Sequence, residues 1–553
     1  MNVVQSTAGA ALRRAIEFIR TPRFLPLTAS AAVALTCGLA LLLVQGAHPL
    51  LVACFLLSLA LVVVGVNDML QTTHSILRNY PIAAHLRFMF EDIRPAIRQY
   101  FFEDDKSGTP FSRDKRAIVY QRPKSALDKR PFGTSYDVYA EGFEWITHSM
   151  MPAAVPVADV RTQVGGFDGC QAYAMSLFSI SAMSFGALSA NAIRALNKGA
   201  RIGGFAHDTG EGGFSSHHAE FGGDIIWELG SGYFGARNAD GTFSAERFAG
   251  AAVNEQIKMI EVKLSQGAKP GHGGVLPASK VSAEIAATRG VPMGVDCVSP
   301  AGHSAFSTPV GLLKFVATLR NLSGGKPTGF KLCVGHEWEF LAICKAMRET
   351  GIYPDFIVVD GKEGGTGAAP MEFIDHLGKP LREGLTFVNN ALIGIDARHR
   401  VKLGASGKIA TAFDMVRAIT LGADWCNSAR GFMFALGCIQ SQSCHTDRCP
   451  TGVATQDPAR QRGLVVHDKA ERVAHYHKAT LESLAELTAA AGLTHPAQFT
   501  RRHIQRRVSQ REIASFADIY PVLEAGALLT HPEETPYARA WAVADPHSFL
   551  PRD

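Results

Sequence analysis

The stretch "DFIVVDGKEGGTGAAP", residues Asp355 to Pro370, joins a short apolar, β-branched run to a loop rich in glycine. The run predicts a strand, and the loop predicts backbone that turns tightly or lets a ligand approach closely. Working outward, similar runs recur at 179–185 "SISAMSF", 203–209 "GGFAHDT", 259–265 "MIEVKLS" and 291–299 "VPMGVDCVS". They continue at 329–335 "GFKLCVG", 400–406 "RVKLGAS" and 423–429 "ADWCNSA". Helical patterns lie between them, among them "PVGLLKFVATLRNL" and the glycine-terminated "FDMVRAITLG". Strand and helix in alternation indicate a parallel α/β architecture, and eight such units predict a (β/α)8 TIM barrel. An open doubly wound sheet is the competing arrangement, but the early glycine fingerprint that it would carry between one strand and one helix is missing. A barrel does its chemistry at the carboxyl ends of its strands, which is where "HDTGEGG", "QGAKPGHGG", "GKEGGTGAAP", "ASGK" and "SARG" fall.

Two uncharged runs precede this region, at 24–45 and 49–66, separated by a short break. Each is about long enough to cross a hydrocarbon core as a helix. Arg13, Arg14, Arg20 and Arg23 precede the pair, and Arg78 and Arg87 follow it, so positive charge predicts that both flanks are cytoplasmic. The expected organisation is a cytoplasmic N-terminal segment at 1–23, two transmembrane helices within 24–66 and a connecting region at 67–165. A barrel with a cysteine loop follows at 166–460, and then a helical C-terminal region at 461–553. The predicted location is the inner (cytoplasmic) membrane, multi-pass, with the barrel in the cytoplasm. A net charge of +5, spread without blocks over 553 residues, argues against a nucleic-acid partner.

Three of the ten cysteines, Cys438, Cys444 and Cys449, fall in "GCIQSQSCHTDRCPTGVATQ". The others stand singly in apolar segments, as buried thiols of a reducing compartment do. Thiolates suit an iron–sulfur cluster or zinc; His445 is poorly placed as a fourth zinc ligand, and the Cys449-Pro450 step is of the sort seen in ferredoxins. By spacing alone the loop is a moderate iron–sulfur signal, because Cys426 could complete a four-cysteine set. Lys263 and Lys331 lie inside predicted strands, where an unpaired charge is costly, so both are candidate site residues.

At "SAMSFGALS", "HDTGEGG", "IEVKLSQGAKPGHGG", "GKEGGTGAAP" and the cysteine stretch, the sequence resembles the FMN-binding synthase domain of glutamate synthase over roughly 165–460. The resemblance implies a barrel with FMN at its mouth, a 3Fe-4S cluster held by Cys438, Cys444 and Cys449, and amination of 2-oxoglutarate by reduced flavin. It places Ser181, Ala182, Met183 and Ser184 against the isoalloxazine, and Glu211 near substrate and flavin. Lys263 and Gln266 become a polar pair after a strand, Lys269 the lysine of the next loop, and Lys331 a cation near the flavin ring. Gly364, Gly365, Thr366, Gly367, Gly407 and Ala429 resemble the phosphate-side loops. The catalytic set is then Glu211, Lys263, Gln266 and Lys331. Two stretches depart from the family pattern: His272 replaces an acidic residue, and "ASGKIAT" replaces "DGGLRTG". They leave room for another 2-oxo or 2-hydroxy acid as substrate. The other alternative is a membrane-anchored electron-transfer subunit. No amidotransferase front, β-helix end or dinucleotide fingerprint is legible. Reductant is therefore expected from a separate electron donor, protein or membrane-bound, and an amine or ammonia from elsewhere, with room for a separate glutaminase subunit.

Overall fold

Eight parallel strands close on themselves in chain order: β1 Phe178–Ile180, β2 His207–Asp208, β3 Ile225–Leu229, β4 Ile257–Lys263, β5 Thr328–Leu332, β6 Phe356–Asp360, β7 Lys402–Ser406 and β8 Trp425–Ser428. This is a TIM barrel in a computed structural model that describes residues 21–43, 48–129 and 131–552. Every residue of β3 and β5 is buried, as expected of strands covered on one face by the barrel interior and on the other by helices. The return helices include Ala190–Gly203, Pro309–Leu322, Glu337–Thr350, Leu381–Gly394 and Ala412–Thr420. Thr411 caps the last of these, accepting from Asp414 N while Asp414 reaches back.

The barrel differs from the sequence expectation at one strand. The run 291–299 is not a barrel strand; Cys297–Val298 pairs antiparallel with Val275–Leu276 in a small ribbon. The third strand is instead Ile225–Leu229, from "DIIWELG". Pro292, Gly294 and Asp296 are exposed, which suits an excursion beyond β4 and not a strand buried on both faces.

The chain divides into two compact units, Met1–Gly108 and Thr109–Asp553, so the expected connecting region 67–165 is split between them. In the second unit, Glu144–Ile146 pairs with Ile504–Arg507, which pairs with Ile513–Ser515. The C-terminal region is therefore not wholly helical: the helix Val466–Ala490 packs on Ala190–Gly203, and strands follow it. Glu144 fixes the sheet to the barrel's outer helices, with its carboxylate contacting Arg382 and lying 3.2 Å from Arg417.

The first unit carries helices α1 Leu25–Leu43 and α2 Pro49–Leu70, then Ser75–Asn79 and α3 Ala83–Ile97. Counting the short turn Pro22–Phe24 with α1, both apolar helices run for 22 residues, enough to cross a membrane. Arg13, Arg14, Arg20 and the end of the first apolar run at 44–45 lie outside the described residues.

Candidate active site

Strand register stacks the barrel's charged side chains in layers. Glu228 on β3 is the in-register partner of Glu261 on β4, and Lys263 on β4 is the partner of Lys331 on β5. Partners in register present their side chains to the same face. The Lys331 ammonium contacts Glu228 and lies 3.2 Å from Glu261 Oε1. Carboxylate oxygens of Asp208, Glu228 and Glu261 lie within 4.8 Å of one another. At that spacing two negative charges repel by about 3 kcal/mol at an effective dielectric of about 20. Burial, reinforced by Glu228, pushes the Asp208 carboxyl up to about 7. Burial with Asp208 and Glu228 beside it also raises Glu261, against the pull of Lys331. Asp360 at the end of β6 is raised by burial as well. For Lys331 burial opposes the charge, but the surrounding carboxylates, Glu228 and Glu261 first, hold it well above the ordinary lysine range. Lys331 is thus a buried ammonium set against carboxyl groups of which two, Asp208 and Glu261, are raised.

The upper layer is more open. Lys263 Nζ lies 2.9 Å from Glu211 Oε2, with side chains 9% and 18% exposed. Burial would raise Glu211, but Lys263, helped by Lys269 and Arg289, holds its carboxyl down at about 2. Glu211 is therefore a carboxylate at neutral pH, an acceptor and not a proton donor. A Cβ at Gly274 would sit 2.4 Å from Glu211 Oε1, so the "KPGHGG" loop approaches the carboxylate only because that position is glycine. Lys269 ties the same loop to itself, donating to Gly273 O at 2.7 Å, and burial lowers its pKa. His272 also stays within the loop, with Nδ1 2.8 Å from Gly273 O.

The remaining expected flavin-side residues gather at this mouth. Ser181, Ala182, Met183 and Ser184 follow β1; Ser181 N donates to Ser428 O, and its hydroxyl is 3.4 Å from the Ser406 hydroxyl. Gln266 follows β4, and its carbonyl accepts from Lys269 N. Gly364, Gly365, Thr366 and Gly367 follow β6, Gly407 follows β7, and Ala429 follows β8. Asp360 links these loops by accepting from Gly267 N at 2.8 Å.

The cysteine loop abuts the mouth. A Cβ on Gly367 would meet Cys444 C at 3.1 Å and Cys444 Cβ at 3.3 Å. Arg430 bridges the same junction, with Nη1 3.8 Å from Cys444 Sγ and Nη2 donating to Gly365 O at 3.2 Å. Cys438, Cys444 and Cys449 are free thiols; the first and last are buried. Burial opposes ionisation of Cys449, but the N–H of Ala454, the hydroxyl and N–H of Thr451 and the N–H of Val453 outweigh it and lower its pKa. Cys438 is pushed up, first by burial. Buried Lys280 completes the surroundings, donating to Cys444 O at 3.0 Å and Ala454 O at 3.3 Å.

Seven residues of this arrangement are not singled out by the sequence: Asp208, Glu228, Glu261, Arg289, Asp360, Lys280 and Arg430. Glu228 and Glu261 carried a usable signal, a charge inside an apolar run, the same one that marks Lys263 and Lys331.

Residues 158–494 match the conserved region in glutamate synthase. The glutamate synthase large subunit-like protein YerD of Bacillus subtilis (strain 168) is 36% identical over 497 residues, 82% of this chain and 94% of that protein. The archaeal glutamate synthase [NADPH] of Methanocaldococcus jannaschii is 37% identical over 319 residues, 57% of this chain and 58% of that protein. The glutamate synthase [NADPH] large chain of Bacillus subtilis is 33% identical over 328 residues, and only 20% of its length is covered. A conserved region that spans more than half of the chain, with a relative matched along nearly its full length, shows that the chain belongs to the glutamate synthase family of oxidoreductases.

Proposed function

We propose that this chain is a membrane-anchored enzyme that binds FMN and a 3Fe-4S cluster and reductively aminates 2-oxoglutarate to glutamate, or with an amine to an N-substituted glutamate. The observation that carries the reading is the junction of Gly367 with Cys444, bridged by Arg430, which sets the cysteine loop against the mouth loops. The residues fit both groups. Three free thiols on one short loop, with Lys280 and Arg430 beside them, are a donor set for an anionic iron–sulfur cluster. Ser181, Ala182 and Ser184, with Gly365, Gly367, Gly407 and Ala429, offer small side chains that let a flavin and its phosphate approach the backbone, and Met183 offers an apolar contact. The Ser181–Ser184 turn is held in place by Gly210, where a Cβ would lie 2.7 Å from Ser184 N. Bound FMN would supply hydride for the reduction.

The side chains of this chain do the rest. Lys263 is the cation suited to a substrate carboxylate, and Glu211 orients it across 2.9 Å. As a carboxylate, Glu211 also accepts from an N–H of the incoming ammonia or of the imine formed as ammonia and 2-oxoglutarate lose water. Gln266, which follows β4 in the same loop as Lys269, is assigned as a further polar contact for the substrate. Lys269 holds its loop closed over the pair through Gly273. Reductant is assigned to a separate donor, and amine to solution or a separate glutaminase subunit.

The anchoring part of the reading is supported by α1 and α2, which leave much apolar surface exposed, Leu42 at 84% and Leu50 at 70%. With Arg23 before them and Arg78 after, the barrel belongs in the cytoplasm and the hairpin in the cytoplasmic membrane. The test is absorbance and EPR spectroscopy of anaerobically purified protein, followed by glutamate formation from 2-oxoglutarate and ammonia with reduced methyl viologen as donor. A flavin band, a three-iron signal and steady glutamate formation are expected. Colourless protein, or a flavin that reduces and reoxidises without aminating any amine acceptor, would overturn the reading.

A further inference from the structure

The helix α3, which follows the apolar pair, carries an apolar face that stays about half exposed among the described residues. Leu86, Met89, Phe90 and Ile93 are 53%, 48%, 53% and 40% exposed. At 100° per residue they form, with Ile97, a stripe roughly 100° wide, the width of a buried face in an ordinary amphipathic helix. Arg87 and Arg94 lie along one edge of the stripe, and Arg98 at the helix end continues that edge. Their contacts with acids are loose, 3.5 Å for Arg87–Glu91, 3.9 Å for Arg94–Glu91 and 3.5 Å for Arg98–Glu103, and all three guanidinium groups stay mostly exposed. Beyond the helix, Phe101 and Phe102 are 80% and 79% exposed.

The helix starts level with the end of α2. Asp68, in the last turn of α2 and 2% exposed, accepts from Ile82 N at 2.9 Å and lies 2.9 Å from His85 Nε2. Ile82 packs into the same turn: a Cβ on Gly65 would meet its side chain at 3.2 Å. Asp68 is the first charged residue after the apolar run of α2, so the chain enters α3 where a spanning helix would leave the hydrocarbon.

We propose that α3 and the turn Arg98–Phe102 lie in the headgroup region of an anionic bilayer, with the apolar stripe on the acyl chains and the arginines on lipid phosphates. The proposal rests on the anchoring reading above and adds a lipid specificity to it. An apolar stripe flanked by arginine, with aromatic rings at one end, is the composition of an in-plane interfacial helix. A second copy of the chain is the other occupant that such a stripe could take, but a protein partner gives no reason for three arginines along one edge. An arginine near an anionic surface shifts docking by roughly five-fold, so three shift it by roughly a hundred-fold.

The test is hydrogen–deuterium exchange of the full chain in nanodiscs of phosphatidylcholine alone and of phosphatidylcholine with phosphatidylglycerol. Peptides covering 83–97 are expected to exchange markedly more slowly in the phosphatidylglycerol discs. The combined variant Arg87→Gln, Arg94→Gln, Arg98→Gln is expected to lose that difference, and the corresponding Arg→Lys variant to keep it. Equal exchange of 83–97 in the two lipids, with peptides of the apolar helix 49–70 protected in both, would overturn this proposal and leave the anchoring reading standing. Protection that follows protein concentration and not lipid would assign the stripe to a second copy and equally overturn it. Free exchange of 49–70 in both discs would overturn the anchoring reading, and this proposal with it.

Discussion

Replacing Lys331 with Met removes the cation that touches Glu228 and lies 3.2 Å from Glu261, and leaves the volume filled. At an effective dielectric of about 20 a pair at that distance is worth about 5 kcal/mol. The orphaned acids respond by taking up protons, so the net loss is set by the cost of breaking a buried pair, about 3–5 kcal/mol. For a unit as large as Thr109–Asp553 this corresponds to roughly 1 °C of Tm per kcal/mol, hence a fall of about 3–5 °C near neutral pH. The pH dependence is the sharper test. Lys331, with its pKa raised in the folded state, is charged in both folded and unfolded chains between pH 6 and 8, so its contribution to the parent protein is flat there. In the variant a further carboxyl is protonated when folded and ionised when unfolded. The folded state then binds more protons, and stability falls as pH rises, by up to about 1.4 kcal/mol per pH unit for each such carboxyl. Buried Trp227 and Trp425 report barrel unfolding, so thermal melts by intrinsic fluorescence from pH 6 to 8 measure the gap between parent and variant. The gap is expected to widen with pH, and adding Glu228→Gln to Lys331→Met is expected to recover about half of it. A gap independent of pH, or a double variant less stable than Lys331→Met alone, would refute the reasoning.

Two further outcomes follow from the same geometry. Gly274→Ala would place a Cβ 2.4 Å from Glu211 Oε1 and displace it from Lys263; a shift of that size costs roughly a hundred-fold in kcat/KM for glutamate formation, whereas Gly302→Ala, with nothing within 4 Å, should leave it unchanged. On the proposed function, Lys280→Met removes a buried positive charge beside Cys444, so the midpoint potential of the proposed cluster in an EPR-monitored titration should fall, Lys280→Arg should retain most of it, and an unmoved potential would remove Lys280 from this role.

Much of this site is legible in the sequence because its chemistry violates local rules. Lys263 and Lys331 stand out as charges inside β-branched runs, and the glycine loops mark the carboxyl ends of the strands. The same rule finds Glu228 and Glu261, but only once both runs are read as strands lining one interior. The run "DIIWELG" is the weak point: it lies close after the "HDTGEGG" loop, with only the short helix Ser216–Ala219 before it. The valines of "VPMGVDCVS" take its place in the count, so eight is reached with a surface ribbon standing for the third strand. The C-terminal strands escape notice for a different reason. Ile504–Arg507 and Ile513–Ser515 are short and half-exposed, and the first finds its partner at Glu144–Ile146, far away in the chain. No local pattern encodes such a pairing. The Lys280 role is non-local in the same way, since its loop meets the cysteine loop only in three dimensions.

The layering also changes how the lysines are to be counted. Four cationic side chains, Lys263, Lys269, Lys331 and Arg289, lie near the mouth, and a plain count of them would make it strongly positive. Lys331, however, is matched from below by Glu228 and Glu261, Lys269 is bound to the carbonyl of Gly273, and Arg289 donates to the carbonyl of Phe185 at 3.0 Å. On the proposed function Lys263 is therefore the cation left to receive a substrate carboxylate, and it is already paired with Glu211. A dicarboxylate must either share Lys263 with Glu211 or displace it, and a substrate that brings an ammonium or imine N–H for Glu211 to accept relieves that competition. The ion pair thus favours carboxylate and nitrogen arriving together, which is the combination that reductive amination requires and that oxidation of a 2-hydroxy acid lacks.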